Sequence, residues 1–308
     1  MRHLLIALPF AFLLPNCGSD SDLPPMVGTG AADNPTAEAL FQKAKAAEDN
    51  GKAKRAIDLY DELADEIPYA KRAGEARFRQ GQLLEQSGEM QKAFTAYQDL
   101  LSNKQGSGYY KAALDRQTEI AFAAADGEIK NNFLGLKSKL STDKVVGMLA
   151  NVAGNSPRSP LAARASFRIG DIYADQEEAA KAISAYRSVV VNYPNSSQAP
   201  EAQFRIGEIL LQEAEQGNQD QANLNRAKEA FEDYLSQFPG HQRNHEARQL
   251  ISSIGTRDIQ NTYEIAEFYE NKGNVTSAKF YYQEVVRKTK SGDLHEKAQA
   301  RLNALNGN

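Results

Sequence analysis

After an apolar run at its start, the chain shows no stretch in which apolar and polar residues alternate as they do in a half-buried strand. Its apolar positions recur at helical spacing, and they do so in repeats. One heptapeptide appears four times, as Glu38 to Ala44, Glu75 to Gly81, Arg164 to Gly170 and Glu201 to Gly207. Every copy has alanine second, phenylalanine fourth (Phe41, Phe78, Phe167 and Phe204) and alanine or glycine last. Further on comes a second signature, Ala-x-x-x-aromatic: Ala56/Tyr60, Ala93/Tyr97, Ala182/Tyr186, Ala227/Phe231 and Ala278/Tyr282.

Each spacing has a physical use. Residues four apart share one helix face. The small residue closing the first signature lets two helices approach closely, and the alanine of the second does the same from the other side. The aromatic one turn later fills the space between neighbouring hairpins. Gly51, Gly88 and Gly273 fall between paired helices, where a left-handed residue is wanted. Pro68, Pro194 and Pro239 close units, because proline cannot continue a helix.

This is the pattern of tetratricopeptide (TPR) hairpins. Five units are legible at about 37–70, 74–105, 163–196, 200–241 and 259–290, with a degenerate one at about 109–157. The expected fold is all-α: a right-handed α-solenoid of five to six hairpins. Leu294, Ala298, Leu302 and Leu305 share one face of a final helix that caps it. The repeats divide into an N-terminal set (37–157) and a C-terminal set (158–308). Two stretches interrupt the pattern: 126–144, which carries the apolar Phe133-Leu134-Gly135-Leu136, and 216–225, which is polar and reads as loop. The apolar segment either tucks into the solenoid groove or meets a partner.

The beginning of the chain serves another purpose. Leu4 to Leu14 is too short to span a bilayer but suits a signal peptide, here residues 1–16. Leu14-Pro15-Asn16-Cys17 resembles a bacterial lipobox, in which the cysteine is lipidated and becomes the mature N-terminus. An ordinary secretory signal with an incidental cysteine is the other reading. Cys17 is the sole cysteine in the chain. Residues 17–36, rich in Gly, Ser, Asp and Pro, read as a flexible tether.

The net charge of −4, with both signs interspersed, provides no basic stripe for nucleic acid. His241 and His245 are four apart, yet Gln242 stands where a metalloprotease helix needs glutamate. No phosphate loop, serine elbow or cysteine nucleophile appears. No enzyme, metal or cofactor is expected. Phe41, Phe78, Phe167 and Phe204, with Tyr263 at the matching place in the last unit, either form an aromatic ladder for an extended peptide or pack against the preceding hairpin.

Taken together, the lipobox-like cysteine, the polar tether and the repeats resemble the BamD family, the TPR lipoproteins of the bacterial outer-membrane β-barrel assembly machinery. The likeness is strongest where Arg226 to Phe231 and Phe238-Pro239 lead into Tyr263 to Gly273. The resemblance implies a lipid anchor on Cys17 in the outer membrane and a periplasm-facing scaffold. It implies as partners the barrel-forming insertase with its periplasmic domains, and segments of unfolded outer-membrane proteins. The candidate contact residues are the five ladder aromatics together with Phe133 and Leu134. A scaffold for the Tol–Pal or peptidoglycan machinery, or a glycan-capturing surface lipoprotein, are the alternatives.

Overall fold

The structure is a computed structural model that describes residues 33–103, 106–133, 136–216 and 221–307. The expected signal peptide, Cys17, most of the tether and Leu134 lie outside the described residues. The fold is all-α and of the TPR solenoid type, with thirteen helices among the described residues.

Packing divides the chain into two compact units that meet inside one helix, at Ala113/Leu114, whereas the repeat count divides it at 157/158. The first unit contains the hairpins α1 (Pro35–Asp49) with α2 (Ala53–Glu66) and α3 (Ala73–Gln86) with α4 (Met90–Asn103). α5 (Tyr110–Ala125) crosses the boundary. In the second unit, α6 (Thr142–Asn155) is followed by α7 (Pro160–Asp175) with α8 (Ala179–Asn192) and by α9 (Gln198–Gln216) with α10 (Gln221–Gln237). The long α11 (Asn244–Asn271) then pairs with α12 (Val275–Lys288), and α13 (Asp293–Asn306) packs on that pair. Within each unit a second helix packs on the first helix of the following hairpin.

Three expectations are corrected. The tether ends earlier than residue 36, because the Asn34 side chain accepts from the Ala37 amide at 3.0 Å and Pro35 opens α1. The interruption at 126–144 is not free of strands: β1 (Lys130–Phe133) pairs antiparallel with β2 (Leu136–Lys139), Lys130 opposite Lys139. Four residues per strand were too few to show an alternation. The polar stretch 216–225 is mostly helix, since Gln216 belongs to α9 and Gln221–Asn225 to α10. Polar composition was mistaken for loop where it marks the solvated ends of two lengthened helices.

Local signals act as their chemistry dictates. Gly51 has φ +71°, and the amides after α1 turn back onto it, Gly51 N–H to the Glu48 carbonyl and Lys52 N–H to the Ala47 carbonyl, both at 2.9 Å. Gly88 and Gly273 repeat this conformation, while after α7 it falls to Glu177 at φ +59°.

Inside the hairpins the small residues are obligatory. A Cβ on Gly170 would stand 2.5 Å from the Tyr186 ring, and one on Gly207 would stand 2.6 Å from the Phe231 ring. Gly81 abuts Tyr97 in the same way. Across the hairpin, Ala56, Ala93, Ala182, Ala227 and Ala278 have no exposed surface. The first helix therefore rests directly on an aromatic face of the second.

Two glycine replacements should move stability in opposite directions. Gly207→Ala forces the Phe231 ring aside and should cost about 1–3 kcal/mol. Gly147→Ala, in α6 with open space around it, should gain about 0.5–1 kcal/mol. Urea unfolding followed by circular dichroism measures both, and equal effects would contradict the packing described.

Candidate functional site

The ladder aromatics are part of the interior. Phe41, Phe78, Phe204 and Tyr263 are at most 8% exposed, and Phe167 is half-buried. Each faces the aromatic of the second helix in its own hairpin. The ring centroids are 5.6 Å apart for Phe41–Tyr60, 5.7 Å for Phe78–Tyr97, 5.2 Å for Phe167–Tyr186, 5.1 Å for Phe204–Phe231 and 5.4 Å for Tyr263–Tyr282. The tilted and edge-on angles are those that aromatic quadrupoles prefer. The expected ladder for an extended peptide is thereby corrected for Phe41, Phe78, Phe204 and Tyr263, which are buried in closing their own hairpins, while Phe167 makes the same ring contact and stays half-buried. Packing in the interior is the alternative that holds: Phe204 shares a core cluster with Ala182, Tyr186 and Val189 of the preceding hairpin as well as with the ring of its own.

Polar groups then fix the rings. Tyr60 donates its hydroxyl to Glu48 at 2.7 Å, Tyr186 to Asp171 at 2.7 Å and Tyr282 to Glu270 at 2.7 Å, and Tyr97 bonds Glu85. Burial first, and the accepting carboxylate second, push the Tyr60, Tyr186 and Tyr282 phenols far above their usual range.

The outer face of the phenylalanine is covered from the following hairpin. Arg72 lies 4.6 Å over the Phe41 ring while bonding Glu38 at 2.7 Å and Glu75 at 2.6 Å. Arg243 lies 3.5 Å over Phe204 and bonds Glu201 at 2.9 Å, Glu208 at 2.7 Å and Glu246 at 2.8 Å. The glutamate that opens the heptapeptide is thus a clasp for an arginine at the next helix start. At the equivalent place over Phe78 stands Tyr109, stacked at 5.2 Å. His241 accompanies this system as well: its Nδ1 hydrogen-bonds the Tyr234 hydroxyl at 2.6 Å. It precedes α11, so it does not share a helix with His245. Among the described residues no group of His, Cys, Asp and Glu could hold a metal ion.

What remains exposed is elsewhere. On the α11–α12 hairpin, Phe268 and Phe280 are 56% and 57% exposed, and Ile265 and Val275 are exposed beside them. Four rings form a chain across the two helices: Phe268 to Tyr269 at 5.5 Å, Tyr269 stacked on Tyr281 at 5.5 Å, and Tyr281 to Phe280 at 5.2 Å. Lys272 sits 5.7 Å from the Phe268 ring centre. The sequence held a signal for this strip that the repeat reading passed over. In Phe280-Tyr281-Tyr282 and in Tyr263 to Tyr269, the core takes Tyr282 and Tyr263 fully and Tyr269 and Tyr281 in part, which leaves Phe268 and Phe280 outward.

The foot of the strip is held by Glu270. It accepts from Tyr282 and from the Arg301 guanidinium, the latter at 3.1 Å through Nε, so α13 is tied to the last hairpin. The Arg301 bond holds the Glu270 carboxyl below its ordinary value.

The model of the YfiO family, described as outer membrane lipoprotein, matches residues 149–306, half of the 308-residue chain. The chain belongs to the YfiO outer membrane lipoprotein family. TPR models match 28–71 and 75–103 of this YfiO-family chain. Among solved structures it is similar to MamA from Desulfovibrio magneticus RS-1, at 16% identity and TM-score 0.30 over 68% of this chain and 99% of that one. A TPR protein from Parabacteroides merdae is 14% identical, with TM-score 0.30 over 89% and 100%. The C-terminal part of a TPR protein from Cytophaga hutchinsonii is 14% identical, with TM-score 0.34 over 85% and 87%. No curated protein matches the chain. The YfiO-family chain is accordingly a TPR scaffold lipoprotein, assembled from protein-interaction modules. No helix among the described residues is long and apolar enough to cross a membrane.

Two measurements test this division of labour. Phe204→Ala empties a filled core site and should cost about 3–5 kcal/mol, whereas Phe268→Ala should stay within about 0.5 kcal/mol of the parent. Thermal unfolding separates them, and comparable losses would remove Phe268 from the surface. Acid should loosen the α13 attachment. A carboxyl with a depressed folded pKa stabilises above its unfolded value, near 4.5, and loses that contribution as pH falls through the folded one. Between pH 5 and 3 the parent should therefore lose more stability in urea titrations than Glu270→Gln.

Proposed function

We propose that this lipoprotein is a periplasmic scaffold, anchored in the outer membrane by lipid on Cys17, that assists assembly and insertion of β-barrel proteins there. Its partner is the barrel-forming insertase, met through that protein's periplasmic domains. The observation that carries the reading is the position of the exposed aromatic strip. It lies on α11 and α12, within the 149–306 segment that defines family membership.

The repeats use their recurring aromatics to close their own hairpins. Phe268 and Phe280 are large, apolar and more than half exposed, and water contact with such rings is relieved when a partner covers them. Stacking of Tyr269 on Tyr281 holds the strip rigid across two helices, so little side-chain freedom is lost on docking. The Cys17 anchor and the tether that runs from it to α1 would keep the strip within reach of a membrane-embedded partner.

The test is affinity purification of the full-length protein from detergent-solubilised membranes, beside the double variant Phe268→Ser/Phe280→Ser, with mass spectrometry of the partners and of the N-terminal peptide. The parent should recover the insertase together with a lipid-modified Cys17. The variant should keep its lipid and its helical content and lose the insertase, since a central aromatic anchor is worth on the order of 2 kcal/mol. Recovery of Tol–Pal or cell-wall proteins without an insertase would overturn the assembly role.

A further inference from the structure

The α7–α8 hairpin departs from the way the others cover the heptapeptide phenylalanine. Arg72 closes over Phe41 and Arg243 over Phe204, each held by the glutamate that opens that heptapeptide, Glu38 or Glu201. Over Phe78 the cover is Tyr109. At Phe167 both members of the clasp are exchanged. Arg164 opens the heptapeptide in place of glutamate. Gln198 stands three residues before Glu201, the place that Arg72 holds before Glu75.

The exchange leaves an open face. The Gln198 side-chain oxygen accepts from the Ser197 hydroxyl at 3.2 Å, and among the described residues no arginine or lysine lies over Phe167. Phe167 stays half-buried, where Phe41, Phe78 and Phe204 are 4%, 8% and 0% exposed. The residues that α7 buries are small: Ala162, Ala163, Ala165 and Gly170. By contrast, α3 buries Phe78, Leu83 and Leu84, and α9 buries Phe204, Ile206 and Leu210. Arg164 is exposed, rests 4.2 Å over the Phe122 ring, and pairs with no carboxylate among the described residues. The carboxylates of the adjoining elements are engaged otherwise: Glu201 by Arg205 and Arg243, Asp171 by Tyr186, and Asp126 by Arg168.

We propose that this open clasp is a docking site for a segment of a partner polypeptide that carries an aliphatic side chain beside a glutamate or aspartate. The aliphatic group covers Phe167 and removes apolar surface from water, while the carboxylate pairs with Arg164. Arg164 and Phe167 are three residues apart on one helix face, so a short segment reaches both. Charge selects the occupant. In the neighbouring clasps this chain supplies the anion and closes it with its own arginine; here it supplies the cation and leaves the anion to the guest. A partner's arginine or lysine could also cover the ring, but it would meet Arg164 with like charge. The site uses none of the residues of the aromatic strip, goes beyond the barrel-assembly reading and stands or falls without it.

The chain contains no tryptophan, so Phe167→Trp places a single fluorescent reporter at the site. The full-length protein is titrated with a short peptide alternating leucine and glutamate, read by reporter emission and, with a labelled peptide on the parent, by anisotropy. Leucine–lysine and serine–glutamate peptides are the controls. The leucine–glutamate peptide should bind and move the reporter emission to shorter wavelength, and both controls should bind about tenfold more weakly or worse. Arg164→Gln should weaken the acidic peptide about threefold. Arg164→Glu/Gln198→Arg rebuilds the clasp in the form it has over Phe41; it should raise the thermal midpoint and lower peptide affinity about tenfold. Phe268→Ser/Phe280→Ser should bind the peptide like the parent, which separates this site from the strip. Equal binding of the lysine peptide would overturn the proposal. So would a bound complex with unmoved reporter emission, affinity unchanged by both Arg164 variants, or no binding of the leucine–glutamate peptide at millimolar concentration.

Discussion

The close approach of two helices inside each hairpin is the contact on which the structure depends. At Gly170 and Gly207 the backbone lies against an aromatic ring with no room for one more carbon. Once the helices are that near, the fully buried alanines opposite and the ring one turn beyond them follow as necessities. The ring in turn meets the heptapeptide phenylalanine at a tilted or edge-on angle, and where it is a tyrosine its hydroxyl takes a part-buried acceptor. Glu48, Asp171 and Glu270 supply one from the C-terminal end of the first helix. The repeat is the written form of one packing solution used several times.

Charge enters at the margins of this solution. Arg72 and Arg243 cover a phenylalanine face and hold two or three glutamates each. Covering the ring excludes water from the hydrophobic contact, and the carboxylates compensate the arginine for its lost hydration. Arg77 shows the same economy deeper in the first unit. Nearly buried, it is ringed by Asp61, Asp65 and Asp99. These acidic and basic residues are occupied in joining helix to helix, so their abundance does not signal chemistry.

Function in such a scaffold falls to what the packing does not consume. One face of each helix is spoken for. In the last hairpin there are more rings than that face can hold, and the surplus forms an ordered strip outside. In the third unit the turn is replaced by a two-stranded ribbon, β1 with β2. The first leaves apolar area exposed at Phe268 and Phe280.

The sequence by itself determined the helices, their pairing into hairpins and the residues at which they touch. The reason is local and periodic: glycine, alanine and aromatic residues at helical spacing have few other uses, and turn glycines and prolines punctuate them. It also determined that Phe41, Phe78, Phe167, Phe204 and Tyr263 are equivalent. Only the tertiary structure decided which way those five face, because a period fixes a shared face and leaves open whether it meets a partner or the next helix. The same holds for Phe268 and Phe280, whose exposure depends on Tyr263 and Tyr282 having already filled the core. The ribbon at 130–139 was hidden for a different reason. Strands of four residues show too little alternation to be recognised, and their pairing depends on a register that no single strand encodes.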